Sequence, residues 1–104
     1  MTPYIFPGMI EIDDAVSFVF GVEKKMLKER TRKMEVVQAR QVAMRWRKMN
    51  TKQSLQQIAE EYGDFDHATV VHATKTINNF IKIYPEWREK VAMVENMLPK
   101  CENN

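Results

Sequence analysis

Apolar residues recur at helical spacing along most of this chain. Leu55, Ile58, Ala59 and Tyr62 fall on one side of a helix, and Val70, Ala73, Ile77, Phe80, Ile81 and Tyr84 mark a second one about five turns long. Ser54 followed by Gln57 is the signature of a capping box, in which hydroxyl and amide satisfy N–H groups at a helix start, so the first helix is predicted to begin near Leu55. Gly63 supplies the left-handed conformation that ends it, Gly63 to Phe65 form the turn, and Asp66 caps the next helix. A rotation of roughly 100° per residue leaves Ala68, Val71, His72, Lys75 and Asn79 on the outer side. Two helices joined by a short glycine turn, the second with a polar and partly small outer face, are a helix-turn-helix candidate.

The remaining pattern predicts helices on both sides of this unit. One runs from Ile10 or Ile12 to Phe20, with Asp13 or Asp14 near its start, Val16 and Val19 or Phe20 facing inward, and Gly21 at its end. A short helix around Lys24 to Lys28 buries Leu27, and the charged stretch Glu29 to Glu35 suits an exposed loop or arm. From Val36 to Asn50 the inward side is Val36, Ala39, Val42, Ala43, Trp46 and Met49, with Arg40, Gln41, Arg45, Arg47 and Lys48 off that stripe. Pro85 opens a last helix, where Trp87, Val91, Val94 and Leu98 form one narrow stripe. That stripe is expected to pack back onto the domain, a contact with a second copy being the other reading. Tyr62, Phe80 and the two tryptophans are expected in the core, with the methionines filling gaps. The fold class is all-α, with residues 1–11 an extended lead-in, 12–98 the domain and 99–104 a tail.

At 104 residues the chain is one domain's worth with a modest core. The single Cys101 sits beside the C-terminus and offers neither an internal disulfide nor a metal site. The first residues lack an export signal's basic start, and no apolar stretch approaches a membrane span, so a reducing bacterial or eukaryotic cytoplasm with no membrane partner is expected. Net charge is +2, yet its distribution is uneven. Between Lys24 and Lys52 the balance is +9, with Glu29 and Glu35 the only acids, and the rest of the chain carries −7. A basic block just before a helix-turn-helix points to a polyanion, because neutralised phosphates release their counterions. His67 and His72, five residues apart, lie roughly 140° apart on a helix, which argues against zinc. No nucleophile–base pair, phosphate loop or metal cluster is visible, so no catalysis and no cofactor are expected.

The segments Val36-Val37-Gln38-Ala39-Arg40-Gln41-Val42-Ala43-Met44, Ser54-Leu55 with Ile58, and Gly63 with Asp66-His67-Ala68-Thr69-Val70-Val71-His72-Ala73, followed by Ile77, closely resemble the C-terminal DNA-binding domain of the bacterial replication initiator DnaA. The resemblance runs without gaps from about Val16 to Leu98. It implies a compact, Trp-repressor-like helical domain whose second motif helix enters the major groove of duplex DNA while a basic loop reaches the adjacent minor groove. By position, Arg32 would be the minor-groove arginine, with Arg30 and Lys33 beside it. Arg40, Gln41, Lys48 and His72 match phosphate-holding positions. Asp66, His67 and Thr69 match the base-reading helix start, and Ser54 and Ala68 complete the implied DNA-binding set. Asp accepts from a cytosine amino group, His donates to a base acceptor, and a Thr methyl meets a thymine methyl.

The sequence departs from the family pattern at Phe65 and Ala68, where a basic residue and a threonine are usual. Met34 and Gln38 replace basic residues, and Ala39 and Gln56 replace prolines. Arg45 and Arg47 are expected to compensate for the lost charges. The initiator's ATPase domain is not represented by any Gly-Lys-Ser or Gly-Lys-Thr, so a free-standing reader of DnaA-box-like sites is expected, acting in replication or regulation as a monomer or weak dimer. The competing expectation is a protein-interaction module of the same fold that modulates a replication initiator through a small apolar patch of Phe65, Ala68 and Val71.

Overall fold

The computed structural model describes residues 11–63 and 65–98, so residues 1–10 of the expected lead-in, the tail and Cys101 lie outside the described residues. Among the described residues five α-helices and one 3-10 turn follow one another: α1 (Ile12–Phe20), the 3-10 turn (Lys24–Lys28), α2 (Met34–Asn50), α3 (Leu55–Glu61), α4 (His67–Ile83) and α5 (Pro85–Asn96). The fold is all-α, as the periodicity predicts. Helix α1 stops at Gly21, whose φ of 69° lets its N–H turn back to the Ser17 carbonyl. Leu27, fully buried, holds the 3-10 turn on the core, a burial that stabilises by about 2 kcal/mol.

Helix α2 starts at Met34, two residues before the apolar stripe begins. Periodicity marks where a helix acquires a buried face, and Met34 and Glu35 are exposed. Glu35 still favours the helix by facing the positive end of its dipole.

The long helices α2 and α4 pack against each other at the centre, α1 lies on α2, α3 lies on α4, and α5 lies across α4 and α1. Val42, Ala43, Val70, Ala73 and Ile77 meet there with almost no exposure. The stripes run out at the ends of both long helices. Trp46 and Phe80 are half-buried, and Met49 and Tyr84 are exposed rather than inward, because 17 residues extend about 25 Å and pass beyond the shared layer. Helix α5 returns onto its own chain, burying Trp87, Val91, Val94 and Leu98. The Trp87 ring packs at 4.9 Å from Phe80 and 5.6 Å from Phe20. Among the described residues no helix is long and apolar enough to cross a membrane.

Candidate nucleic-acid interface

The helix-turn-helix is α3, the turn and α4, and local chemistry accounts for each boundary. Ser54 Oγ accepts from the Gln57 N–H at 3.1 Å while Gln57 Oε1 accepts from the Ser54 N–H at 2.8 Å, which completes the capping box. Asp66 Oδ1 accepts from the N–H of Thr69 at 3.2 Å and from its hydroxyl at 3.3 Å, so the acid caps α4. Between them Gly63 has φ 101°, and a Cβ there would stand 3.0 Å from the Lys28 carbonyl oxygen. Glycine is therefore needed twice over: for its backbone conformation and for the close approach of the turn to the chain that leads into the basic arm.

The arm itself, residues 29–33, is short and fastened at its base. Arg40 is only 6% exposed, and its guanidinium donates to the carbonyl oxygens of Leu27 at 3.2 Å and Glu29 at 3.0 Å. Burial, and then the positive charge of Arg30, push its pKa below the ordinary arginine value, though a guanidinium stays protonated at neutral pH. Near the tip, Thr31 Oγ1 accepts from the Lys33 N–H at 3.2 Å, closing a small turn around Arg32. Arg30 and Arg40 both lie against the Phe65 ring, at 4.6 and 4.8 Å from its centroid. Each such contact is worth about 0.5–1 kcal/mol in the open and more when desolvated. The ring thus joins the arm to the residue that precedes the cap of α4.

Beneath the motif, Tyr62 is fully buried and donates to Asp13 Oδ1 at 2.6 Å, while Arg47 Nε donates to the Tyr62 oxygen at 2.7 Å. Arg47 also pairs with Asp13 at 3.7 Å. This network ties α1 and α2 to the end of α3. Burial raises the Tyr62 pKa, the Asp13 charge and hydrogen bond raise it further, and Arg47 opposes them. For Arg47 burial works against the charge, but the Tyr62 hydrogen bond and nearby acids outweigh it and raise its pKa.

The basic block divides once the chain is folded. Lys24 pairs with Asp14, Lys25 with Glu23, Lys28 with Glu61, Arg45 with Glu95 and Arg47 with Asp13. Arg45 and Arg47 are thus engaged inside the fold, Arg45 also donating to Asn78, and the expectation that they compensate for lost phosphate contacts is corrected. Among the described residues no acidic side chain pairs with Arg32, Lys33, Lys48 or Lys52.

Of the expected site residues, Arg30, Arg32, Lys33, Lys48, Ser54, Asp66, His67, Ala68 and His72 are exposed, and Gln41 and Thr69 are half-buried. His67 is the first residue of α4, and His72 Nε2 lies 3.4 Å from the Thr76 hydroxyl. Arg40 is the exception: expected off the buried stripe, it is buried, because two carbonyls and an aromatic ring replace the water it loses. The apolar patch is also corrected. Phe65 packs against the core beneath two cations and Val71 is half-buried, which leaves Ala68 as the exposed member. Sequence reasoning missed Phe65 as a platform and Asp13, Tyr62 and Arg47 as a network. Nothing in a helical stripe signals either, since both depend on residues far apart in the chain. No group of three potential metal ligands occurs among the described residues.

Residues 9–77 match the family model described as the bacterial dnaA protein helix-turn-helix. The chromosomal replication initiator protein DnaA of Flavobacterium psychrophilum is 41% identical over 87 residues, covering 84% of this chain and 18% of that protein. That of Porphyromonas gingivalis is 39% identical over 87 residues, with the same coverage of both chains. That of Bacteroides fragilis is 38% identical over 94 residues, covering 88% of this chain and 20% of that protein. The chain spans about a fifth of the length of these relatives.

Proposed function

Because the chain belongs to the bacterial DnaA helix-turn-helix family, we propose that it binds double-stranded DNA selectively, at sites resembling the initiator's box, and without chemistry of its own. One observation carries the reading: among the described residues, folding pairs Lys24, Lys25, Lys28, Arg45 and Arg47 with acids but leaves Arg32 and Lys33 exposed without such partners, on an arm fastened beside the start of α4. Arg32 suits a narrow A·T-rich minor groove, where the negative potential is strongest. His67 and Thr69 stand where a helix entering the major groove meets base edges. Asp66 spends Oδ1 on its cap and keeps Oδ2 for a cytosine amino group. Lys48, Gln41 and His72 hold phosphates. Buried Arg40 serves chiefly by fixing the arm and adds positive potential from below.

A single domain of this size covers limited DNA surface, so tight occupancy needs two sites or a partner, and the role we propose is in replication or its regulation at the nucleoid. Selection from a random duplex library tests the reading. The parent should enrich one motif, Arg32→Ala should relax its A·T preference at one end, and His67→Ala should relax one major-groove position. No enrichment by the parent, with salt-insensitive capture of a replication initiator instead, would replace this reading with the protein-interaction one.

A further inference from the structure

Phe65 departs from the pattern of the resembling domains, and its surroundings assign it a task. It lies in the turn, immediately before the cap of α4, and packs half-buried against the core. Arg30, on the arm, and Arg40, whose guanidinium holds the Leu27 and Glu29 carbonyls at the base of that arm, both lie against its ring. Two like charges this close repel, and an aromatic face offers both a region of negative potential. Arm and turn therefore meet at this ring, Arg30 being two residues from Arg32 and Phe65 two from His67.

We infer that Phe65 is a positioning residue: its ring holds the basic arm in fixed relation to the start of α4, so that base preference at the minor-groove end of the site depends on a side chain that acts through Arg30 and Arg40. The inference rests on the DNA reading for its consequence but not for its mechanical half. A pre-ordered arm loses less conformational freedom on binding, and misplacing it by a small distance spoils a narrow-groove contact more than a phosphate contact.

The test compares the full chain with Phe65→Leu, which keeps an apolar side chain on the core but has no ring, and Phe65→Tyr, which keeps the ring. In the free protein, amide order parameters at residues 29–33 should fall in Phe65→Leu and hold in Phe65→Tyr, with amides in the middle of α4 unchanged in both. In the duplex-library selection, Phe65→Leu should lose on the order of threefold to tenfold of the A·T preference at the arm end while keeping that at the α4 end, and Phe65→Tyr should match the parent. An arm equally ordered in all three proteins overturns the inference. So does an arm loosened by Phe65→Leu with parental base preference at both ends, or a Phe65→Tyr that behaves like Phe65→Leu. A parent that enriches no duplex sinks the DNA reading instead, and the order parameters then decide alone whether the ring holds the arm.

Discussion

The hydroxyl of Tyr62 reaches Asp13 Oδ1 across 2.6 Å, joining the residue that closes α3 to one 49 positions earlier in α1. Arg47 from α2 completes the group, so the first helix of the motif is held by hydrogen bonds and charge as well as by apolar packing. Tyr62→Phe removes the hydroxyl and leaves the buried Asp13 carboxylate with one distant cation. The expected loss is about 1–3 kcal/mol of unfolding free energy, read by urea denaturation. Asp13→Ala, which removes the acceptor of the buried Tyr62 hydroxyl and the acid paired with Arg47, should cost at least as much. A loss below 0.5 kcal/mol (about the scatter of surface substitutions) in both would show the network to be incidental.

The same phenol makes stability fall at high pH. Its pKa is raised in the fold above the ordinary value of 10.0, chiefly by burial and then by Asp13. A raised pKa means the folded state keeps the proton while the unfolded chain releases it, so the contribution is complete below about pH 10 and declines as pH rises beyond it. The slope attributable to this group is at most about 1.4 kcal/mol per pH unit. Unfolding free energies measured between neutral pH and pH 11 should decline more steeply for the parent than for Tyr62→Phe, and parallel curves would contradict the assignment.

Gly63 and Gly21 both have positive φ, but only at Gly63 would an added Cβ press on backbone, the Lys28 carbonyl at 3.0 Å. Gly21→Ala should therefore cost about 1 kcal/mol for its left-handed conformation alone. Gly63→Ala should cost distinctly more and also weaken DNA binding, because the turn must move away from the base of the arm. Thermal midpoints of the two variants, compared side by side, check the order.

Lys48 is exposed near the end of α2 without an acidic partner among the described residues. As a phosphate contact, Lys48→Ala should weaken binding to all duplexes alike and reduce the slope of log affinity against log salt by about 1. Lys25→Ala, which removes a cation already beside Glu23, should leave that slope nearly unchanged. Titrations at several salt concentrations distinguish the two, and equal slopes would remove Lys48 from the interface.

The order of helices, the capping box at Ser54, the cap at Asp66 and the glycine stops were legible in the sequence, because each depends on residues within a turn of one another. The buried faces were legible for the same reason, except at helix ends, where exposure depends on how far the neighbouring helix extends. Which charges remain available was not legible. The +9 block looks uniform in sequence, yet ion pairs to Asp13, Asp14, Glu23, Glu61 and Glu95 take up much of it. The fate of Arg40 and Phe65 likewise required the arm, α2 and the turn to meet in space. Short-range backbone and side-chain preferences set the elements from sequence alone. Long-range packing decided which cations face outward and what the arm is fastened to, because electrostatic and aromatic contacts between residues distant along the chain have no signature in local periodicity.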